Sequence, residues 1–244
     1  MKEIKKIKLF DVYIHDLNMD EAVERIATWC HEDNLHHIIT ADAYMVETAS
    51  HHNELRNIIN NASLVTPDSS GVILASKLYG DPILNKTSGC EMAENLCKIS
   101  GDKNIRIFFL GAKPEVVTTA VNKMKEKYPD VQIAGSHHGY FNEDENDNIC
   151  QMIKDSNSHL LFVAFGIPKQ EFWIKNNLHK TGAKVAIGIG GTFDVMSGIV
   201  NRAPVIYQKL YLEWLYRYFQ DPTKSYKLKK LPAFFIKAIL RKGK

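Results

Sequence analysis

His159-Leu-Leu-Phe-Val-Ala-Phe165 runs directly into Gly166-Ile-Pro-Lys-Gln-Glu171, and Ala183-Lys-Val-Ala-Ile-Gly-Ile189 into Gly190-Gly-Thr-Phe-Asp194. Each apolar run has the length of a strand and almost no polar interruption, the pattern of a strand covered on both faces in a parallel sheet. Each then opens onto a glycine turn. Pro168 is placed to start a helix, because its ring supplies a helical φ and has no amide for the first turn to leave unpaired. Gln170 and Glu171 follow where acceptors suit the orphan amides of a helix start. In the second turn Gly188, Gly190 and Gly191 have no side chains to keep the backbone from a ligand. Two such turns on neighbouring strands make the carboxyl edge at which open α/β sheets bind ligands.

The same alternation extends outward. Leu9 to Ile14 reads as a short strand, and Asn18 caps a helix running to about Cys30. His36 to Thr40 is a strand ending in Ala41-Asp42-Ala43, before a helix from Tyr44 to about Ile59. Ser63 to Thr66 is another, closed by Pro67-Asp68-Ser69-Ser70-Gly71 and a helix from about Val72 to Tyr79. Lys86-Thr-Ser-Gly89 brings a cation and a glycine to the start of a helix over Cys90 to Ser100. Ile105 to Leu110 leads into Gly111-Ala-Lys-Pro114-Glu115, again glycine, then proline and an acid at a helix start. Val131 to Ala134 is a strand followed by His137-His138-Gly-Tyr-Phe141, with Asn142 capping an acidic helix to about Lys154. The first 200 residues therefore predict an α/β chain, a mainly parallel Rossmann-like sheet with helices on both faces and right-handed crossovers. The loops after Thr40, Thr66, Leu110 and Phe165 then share one edge with the Gly188 turn.

Several residues on that edge have two readings. Asp42 and Asp68 each suit a helix cap or a ligand or base at a strand end, and for Asp68 the bare pattern favours the cap of the helix that follows. Gly188-Ile-Gly190 departs from the dinucleotide fingerprint, because Phe193 stands where the third glycine belongs. The adjacent His137 and His138 suit a polar loop better than a metal site. Cys30, Cys90, Cys97 and Cys150 form no C-x-x-C pair and read as reduced, half-buried hydrophobes.

Net charge conceals an asymmetry. From Asn201 onward eleven Lys and Arg face only Glu213 and Asp221, a net +9, which leaves −6 on residues 1–200 of a chain whose total is +3. A basic end on an acidic body suits a polyanionic partner, nucleic acid or an anionic membrane surface. Trp214, Tyr218 and their apolar neighbours recur at helical spacing, and the segment Tyr226 to Lys242 mixes lysines with bulky apolar residues. That composition suits a helix lying on anionic lipid. No run reaches the roughly 18 apolar residues of a span, and Met1-Lys-Glu-Ile-Lys-Lys leads into no apolar signal segment. The expectation is a cytoplasmic body over 1–203 and a basic membrane-associating appendage over 204–244, with no nucleic-acid fold and homo-oligomerisation left open.

Thr40-Ala-Asp42, Thr66-Pro-Asp68-Ser-Ser-Gly71, Phe109-Leu-Gly111-Ala, His137-His-Gly-Tyr-Phe141, Phe165-Gly-Ile-Pro-Lys-Gln-Glu171, Gly188-Ile-Gly-Gly-Thr-Phe-Asp194, and Arg202-Ala-Pro204 with Leu212-Glu-Trp-Leu-Tyr-Arg217 together resemble the WecG/TagA/CpsF glycosyltransferases over nearly the whole chain. The resemblance implies a membrane-associated enzyme that moves a sugar from a UDP-sugar to a polyprenyl-diphosphate-linked sugar. Its TagA-like branch, which the motifs suggest most, transfers N-acetylmannosamine to a lipid-linked N-acetylglucosamine in teichoic acid assembly, with inversion. It puts the catalytic aspartate on Asp68, the active-site threonine on Thr40, and the nucleotide-sugar pocket on Gln170 and the loop Gly188, Gly190, Gly191, Thr192 and Asp194. Asp42, Lys86 and Gly111 line the same edge and complete the expected substrate contacts. Asp42 stands where relatives often carry Asn, and Lys86 and Glu91 where Arg and Asp are usual. In the tail Arg217 is kept, while Lys224 and Lys227 replace arginines, which exchanges a bidentate fork for a point charge.

The chemistry agrees. An inverting transfer needs one base to take the acceptor proton while UDP leaves from the opposite face. No two aspartates lie two apart, so the D-x-D metal clamp is missing and no metal or other cofactor is expected. Helix amides and cations, Arg217, Lys224 and Lys227 among them, would then steady the departing diphosphate. Two other classes compete, a family member using another UDP-sugar and, outside the family, a nucleotide-binding oxidoreductase on the same fold. A nucleic-acid-binding module is a third, permitted by the tail alone.

Overall fold

The computed structural model describes residues 4–201, Pro204, Tyr207, Tyr216 and 231–240. Chain order is β1 (Lys5–Leu9), β2 (Val12–Asp16), α1 (Met19–Trp29), β3 (His36–Ala41), α2 (Ala43–Ala49), α3 (Asn53–Asn60), β4 (Leu64–Pro67), α4 (Ser70–Tyr79) and α5 (Gly89–Ile99). There follow β5 (Ile107–Gly111), α6 (Pro114–Lys127), β6 (Ile133–His137), a 3-10 turn (Glu143–Glu145), α7 (Asn146–Asp155), β7 (Leu160–Ala164), α8 (Lys169–Thr181), β8 (Val185–Gly188), α9 (Thr192–Met196) and, near the end, α10 (Leu231–Leu240). Six strands form one parallel sheet in the order β4-β3-β8-β7-β5-β6. The two runs that decided the reading, β7 and β8, are neighbours in it, with Val163 opposite Gly188.

Because the central strands are apolar on both faces, two layers cover them. On one side Ile38, Leu64, Phe109, Phe162 and Ile187 pack with α1, α5, α6 and α9. On the other, Ile39 and Val65 meet α2, α3, α4 and α10, and Phe108, Leu161 and Ala186 meet α7 and α8. The chain passes from α4 on one face to α5 on the other through residues 80–88, which climb along the free edge of β4. There Asp16 accepts from the amides of Leu84 and Asn85, the Thr87 amide donates to the Pro67 carbonyl, and the Thr87 hydroxyl to the Leu17 carbonyl. This ascending segment delivers the start of α5 to the carboxyl edge, beside the end of β4.

The structure corrects four sequence expectations. Leu9 to Ile14 is not one strand but the two limbs of a β1-β2 hairpin, turned at Phe10, whose φ is 57°. Ile7, Leu9, Val12 and Ile14 all face the core, so the two-residue spacing slips by one between Leu9 and Val12; that slip is the mark of the bend, and no glycine or proline accompanies it. The helix from Tyr44 to Ile59 is α2 and α3, broken where the His52 ring accepts from the Leu55 amide at 3.2 Å and starts a new helix without glycine or proline. The strand placed at Val131 to Ala134 lies at Ile133–His137, so His137 ends a strand and is not in the loop. Pro168 is the cap preceding α8, with a cis bond to Ile167, and the helix itself begins at Lys169.

The 203/204 boundary and Arg217, Lys224 and Lys227 lie outside the described residues, save for Pro204. Of the last forty or so residues, α10 docks on the body. Phe234 and Ala238 are fully buried, Phe234 standing edge-on to Phe10 at 5.3 Å. Lys237 donates to Ser50 Oγ at 2.6 Å and lies 3.5 Å from the Glu47 carboxylate. The opposite side of α10 turns Ile236, Ile239 and Leu240 to solvent. All four cysteines are free; Cys30, Cys97 and Cys150 are fully enclosed rather than half-buried, and burial pushes the Cys30 thiol up to about 12.

Candidate active site

The carboxyl edge presents, in sheet order, Asp68 after β4, Thr40 in β3, Gly188 to Gly191 after β8, Gly166 after β7, Gly111 and Ala112 at the end of β5, and His137 in β6. The Thr40 hydroxyl, buried, donates to the Gly188 carbonyl at 2.8 Å and ties the end of β3 to the end of β8. Thr40 also seats Gly89: a Cβ there would lie 2.9 Å from Thr40 Cγ2.

Asp68 is a cap, though not of the helix that follows it. Ser69 caps α4, its hydroxyl accepting weakly from Val72 and also from the Ala43 amide at 3.2 Å. The Asp68 carboxylate instead accepts from the Gly89 amide at 2.6 Å, at the start of α5, where the Ser88 side chain makes no capping bond. The helix dipole and this short bond favour the charged carboxylate, half-buried beside Thr40 at the open edge. One carboxylate oxygen held by a backbone amide fixes the orientation of the other. Asp42, by contrast, is engaged as the cap of α2 through the Met45 amide at 2.7 Å.

The glycines divide by function. Gly188 does not make room for a ligand: a Cβ on it would stand 2.5 Å from the Gln170 amide nitrogen and 3.0 Å from a Glu171 oxygen. Gly111, at φ 134°, is required by the Ala164 backbone of β7, 2.6 Å from where its Cβ would be. Gly190, at φ 54°, has nothing within 4 Å of that position and Gly191 only Asp194 at 3.4 Å, so these two carry the open backbone of the turn. Thr192 is buried and returns its hydroxyl to the Ile189 carbonyl at 2.7 Å, starting α9. Lys86 is half-buried on the segment that climbs to α5.

Sequence reasoning missed a cleft of about 480 Å³ at the other half of the edge, over the ends of β5 and β7. Tyr140, Phe141 and Phe165 wall it, with Asn142, Ala112 and Lys169 at its rim. Phe141 and Phe165 brace one another edge-on at 5.7 Å, and Lys169 lies over the Phe165 ring. Tyr140 is 68% exposed, so its ring face is open to a ligand. Two helices start around this cleft, α6 at Pro114 and α8 at Lys169, and neither has a side-chain cap, whereas Asp42, Ser69 and Asp68 occupy the starts of α2, α4 and α5. Uncapped helix starts are where anions bind. The aromatic pair after His137-His138 was the only signal in the sequence.

The profile of the Glycosyl transferase WecG/TagA/CpsF family matches residues 7–244. Two relatives, both named N-acetylglucosaminyldiphosphoundecaprenol N-acetyl-beta-D-mannosaminyltransferase, come from Staphylococcus aureus strains MW2 and NCTC 8325. Each is 32% identical over 241 residues, 98% of this chain and 94% of the relative. A match that runs through both halves of the carboxyl edge and on to the last residue leaves the chain a glycosyltransferase, a member of the WecG/TagA/CpsF family.

Proposed function

We propose that the chain transfers N-acetylmannosamine, with inversion, from its UDP derivative to N-acetylglucosamine on a polyprenyl diphosphate, in teichoic-acid-like polymer synthesis; in support, the relatives' name gives them an N-acetyl-beta-D-mannosaminyl transfer to N-acetylglucosaminyldiphosphoundecaprenol. The observation that carries it is the Asp68 carboxylate, oriented by the Gly89 amide at 2.6 Å beside Thr40. It takes the proton of the attacking acceptor hydroxyl as the oxygen bonds to the anomeric carbon and UDP leaves from the other face. From β7 to β4 is three strand spacings, on the order of 15 Å, a span that a nucleoside diphosphate with a hexose covers. The uracil ring then stacks on Tyr140, the diphosphate lies near the starts of α6 and α8, and the sugar reaches Asp68. Lys169 supplies positive charge without a metal clamp, and no cofactor is required.

The acceptor is a lipid, and the second part of the reading is peripheral attachment to the inner face of the membrane. Its support is the +9 charge after residue 200 together with Ile236, Ile239 and Leu240 on the outer side of α10, 57%, 55% and 73% exposed. Among the described residues no helix is long and apolar enough to cross a membrane.

The test is product analysis by mass spectrometry, with a panel of UDP-sugars and a short-chain lipid-diphosphate N-acetylglucosamine acceptor, with and without chelator. Transfer from UDP-N-acetylmannosamine that survives chelation is expected. Transfer from a different UDP-sugar alone would move the chain to another specificity within the family. Abolition by chelator and restoration by magnesium would refute the metal-free reading. Thermal stabilisation by NAD(H) and not by UDP would overturn the donor assignment, and failure to sediment with anionic vesicles the membrane one.

A further inference from the structure

Gln170 stands on the second residue of α8, 1% exposed, directly beneath the two glycine turns. Its side-chain carbonyl accepts from the Gly166 amide at 3.2 Å and from the Gly190 amide at 3.0 Å. Its amide donates to Glu171 Oε1 at 2.8 Å and fills the space that a side chain at Gly188 would take. A primary amide has two acceptor sites and two N–H groups. Both acceptor sites and one N–H are thus committed inside the protein, and the remaining face of the amide is packed on the Gly188 backbone. The turn after β8 is gripped from the other side as well, by the Thr40 hydroxyl on the Gly188 carbonyl.

We infer that Gln170 is a positioning residue that does not contact substrate: it staples the Gly166 turn to the Gly190 turn and so fixes the backbone over which the donor diphosphate lies. Only the substrate named here rests on the donor reading above; the staple itself is independent of it. A backbone that must lie under a bound diphosphate holds it less tightly when it is free to turn, because ordering it on binding costs free energy that a fixed backbone does not pay. A side chain buried beneath both turns supplies that restraint.

The experiment uses the full chain. Gln170→Met keeps the volume and removes every hydrogen bond. The exchanged pair Gln170→Glu with Glu171→Gln keeps two acceptors for the Gly166 and Gly190 amides, restores a donor from position 171 to position 170, and conserves charge. Amide hydrogen exchange in the unliganded protein reads the staple directly. Gln170→Met is expected to speed exchange at Gly166 and Gly190 by about tenfold, the equivalent of one lost neutral hydrogen bond. It should raise KM for the UDP-sugar by a similar factor, about tenfold, with acceptor KM and kcat at saturating donor held within about threefold. The exchanged pair should bring exchange and donor KM back together.

Unchanged exchange at the two glycines in Gln170→Met overturns the staple. Restored exchange in the exchanged pair with donor KM still at the Gln170→Met level overturns the positioning role, since it means that the amide of Gln170 itself meets substrate. Restored exchange with a donor KM that never moved in any variant supports the staple and refutes the donor reading instead.

Discussion

Asp68→Asn and Asp68→Ala separate the two duties of one carboxylate. In the folded protein Asp68 accepts from the Gly89 amide at 2.6 Å and so caps the 11-residue helix α5. Asparagine keeps an oxygen in the same place, and what is lost is the charge at the helix start, about 0.5 kcal/mol. For a chain of this size that lowers Tm by roughly 1–2 °C. Alanine removes the cap, about 1 kcal/mol, or roughly 2–4 °C. The chemistry ranks the variants differently. Neither residue can take a proton from the acceptor hydroxyl, so both should lose about 10²–10⁴-fold in kcat, with the UDP-sugar still bound. Calorimetric melting, UDP titration and initial rates on each variant provide the three readings. If Asp68→Asn turns over within about threefold of the parent, Asp68 is only the cap of α5 and the base must be sought elsewhere. If Asp68→Asn loses as much stability as Asp68→Ala, the hydrogen-bond account of the capping is wrong.

Thr40→Val removes the hydroxyl that donates to the Gly188 carbonyl at constant shape, so about 0.5–1.5 kcal/mol of stability should go; a melting temperature equal to that of the parent would show that this bond does not tie β3 to β8. Phe234→Ala should cost about 3–5 kcal/mol in urea denaturation, because the ring is fully buried against Phe10; a cost below about 1 kcal/mol would show α10 to be no part of the folded core. The third concerns acid. His15 is held down to about 4, by burial and then by Lys6, and its ring nitrogen accepts from the Val65 amide at 2.9 Å. The unfolded chain therefore binds the extra proton first, so stability is full above about pH 6.5 and is lost as pH falls toward 4. His37, held at about 3 by burial, adds to the same slope. His15→Asn retains an acceptor for Val65 without the titration, and should flatten the fall of Tm over that window; an unchanged slope would assign it to other groups.

How much of this was legible beforehand follows from what each signal depends on. Strands covered on both faces must be apolar throughout, so β3, β5, β7 and β8 announce themselves wherever the chain is read, and their order with the intervening helices dictates a parallel sheet. Turn residues are as local, which is why the edge carrying Thr40, Asp68, Gly166 and Gly190 could be named from spacing. Where a side chain sends its hydrogen bond is not local. Asp68 could be read as a cap, but only the climb of residues 80–88 along β4 brings it to Gly89, the start of a helix 21 residues further on, and not to the helix that follows it. Gly188 looked like space for a ligand because a glycine declares an absence without saying what fills it, and Gln170 from α8 fills it. The cleft walled by Tyr140, Phe141 and Phe165 joins loops from three strands, and no stretch of sequence contains it. The hairpin turn at Phe10 and the break at His52 are marked only by interruptions of the apolar spacing, a one-residue slip from Leu9 to Val12 and a polar run over 50–54, with no glycine or proline at either; the packing of Phe10 and the bond from the Leu55 amide to His52 decide the bends.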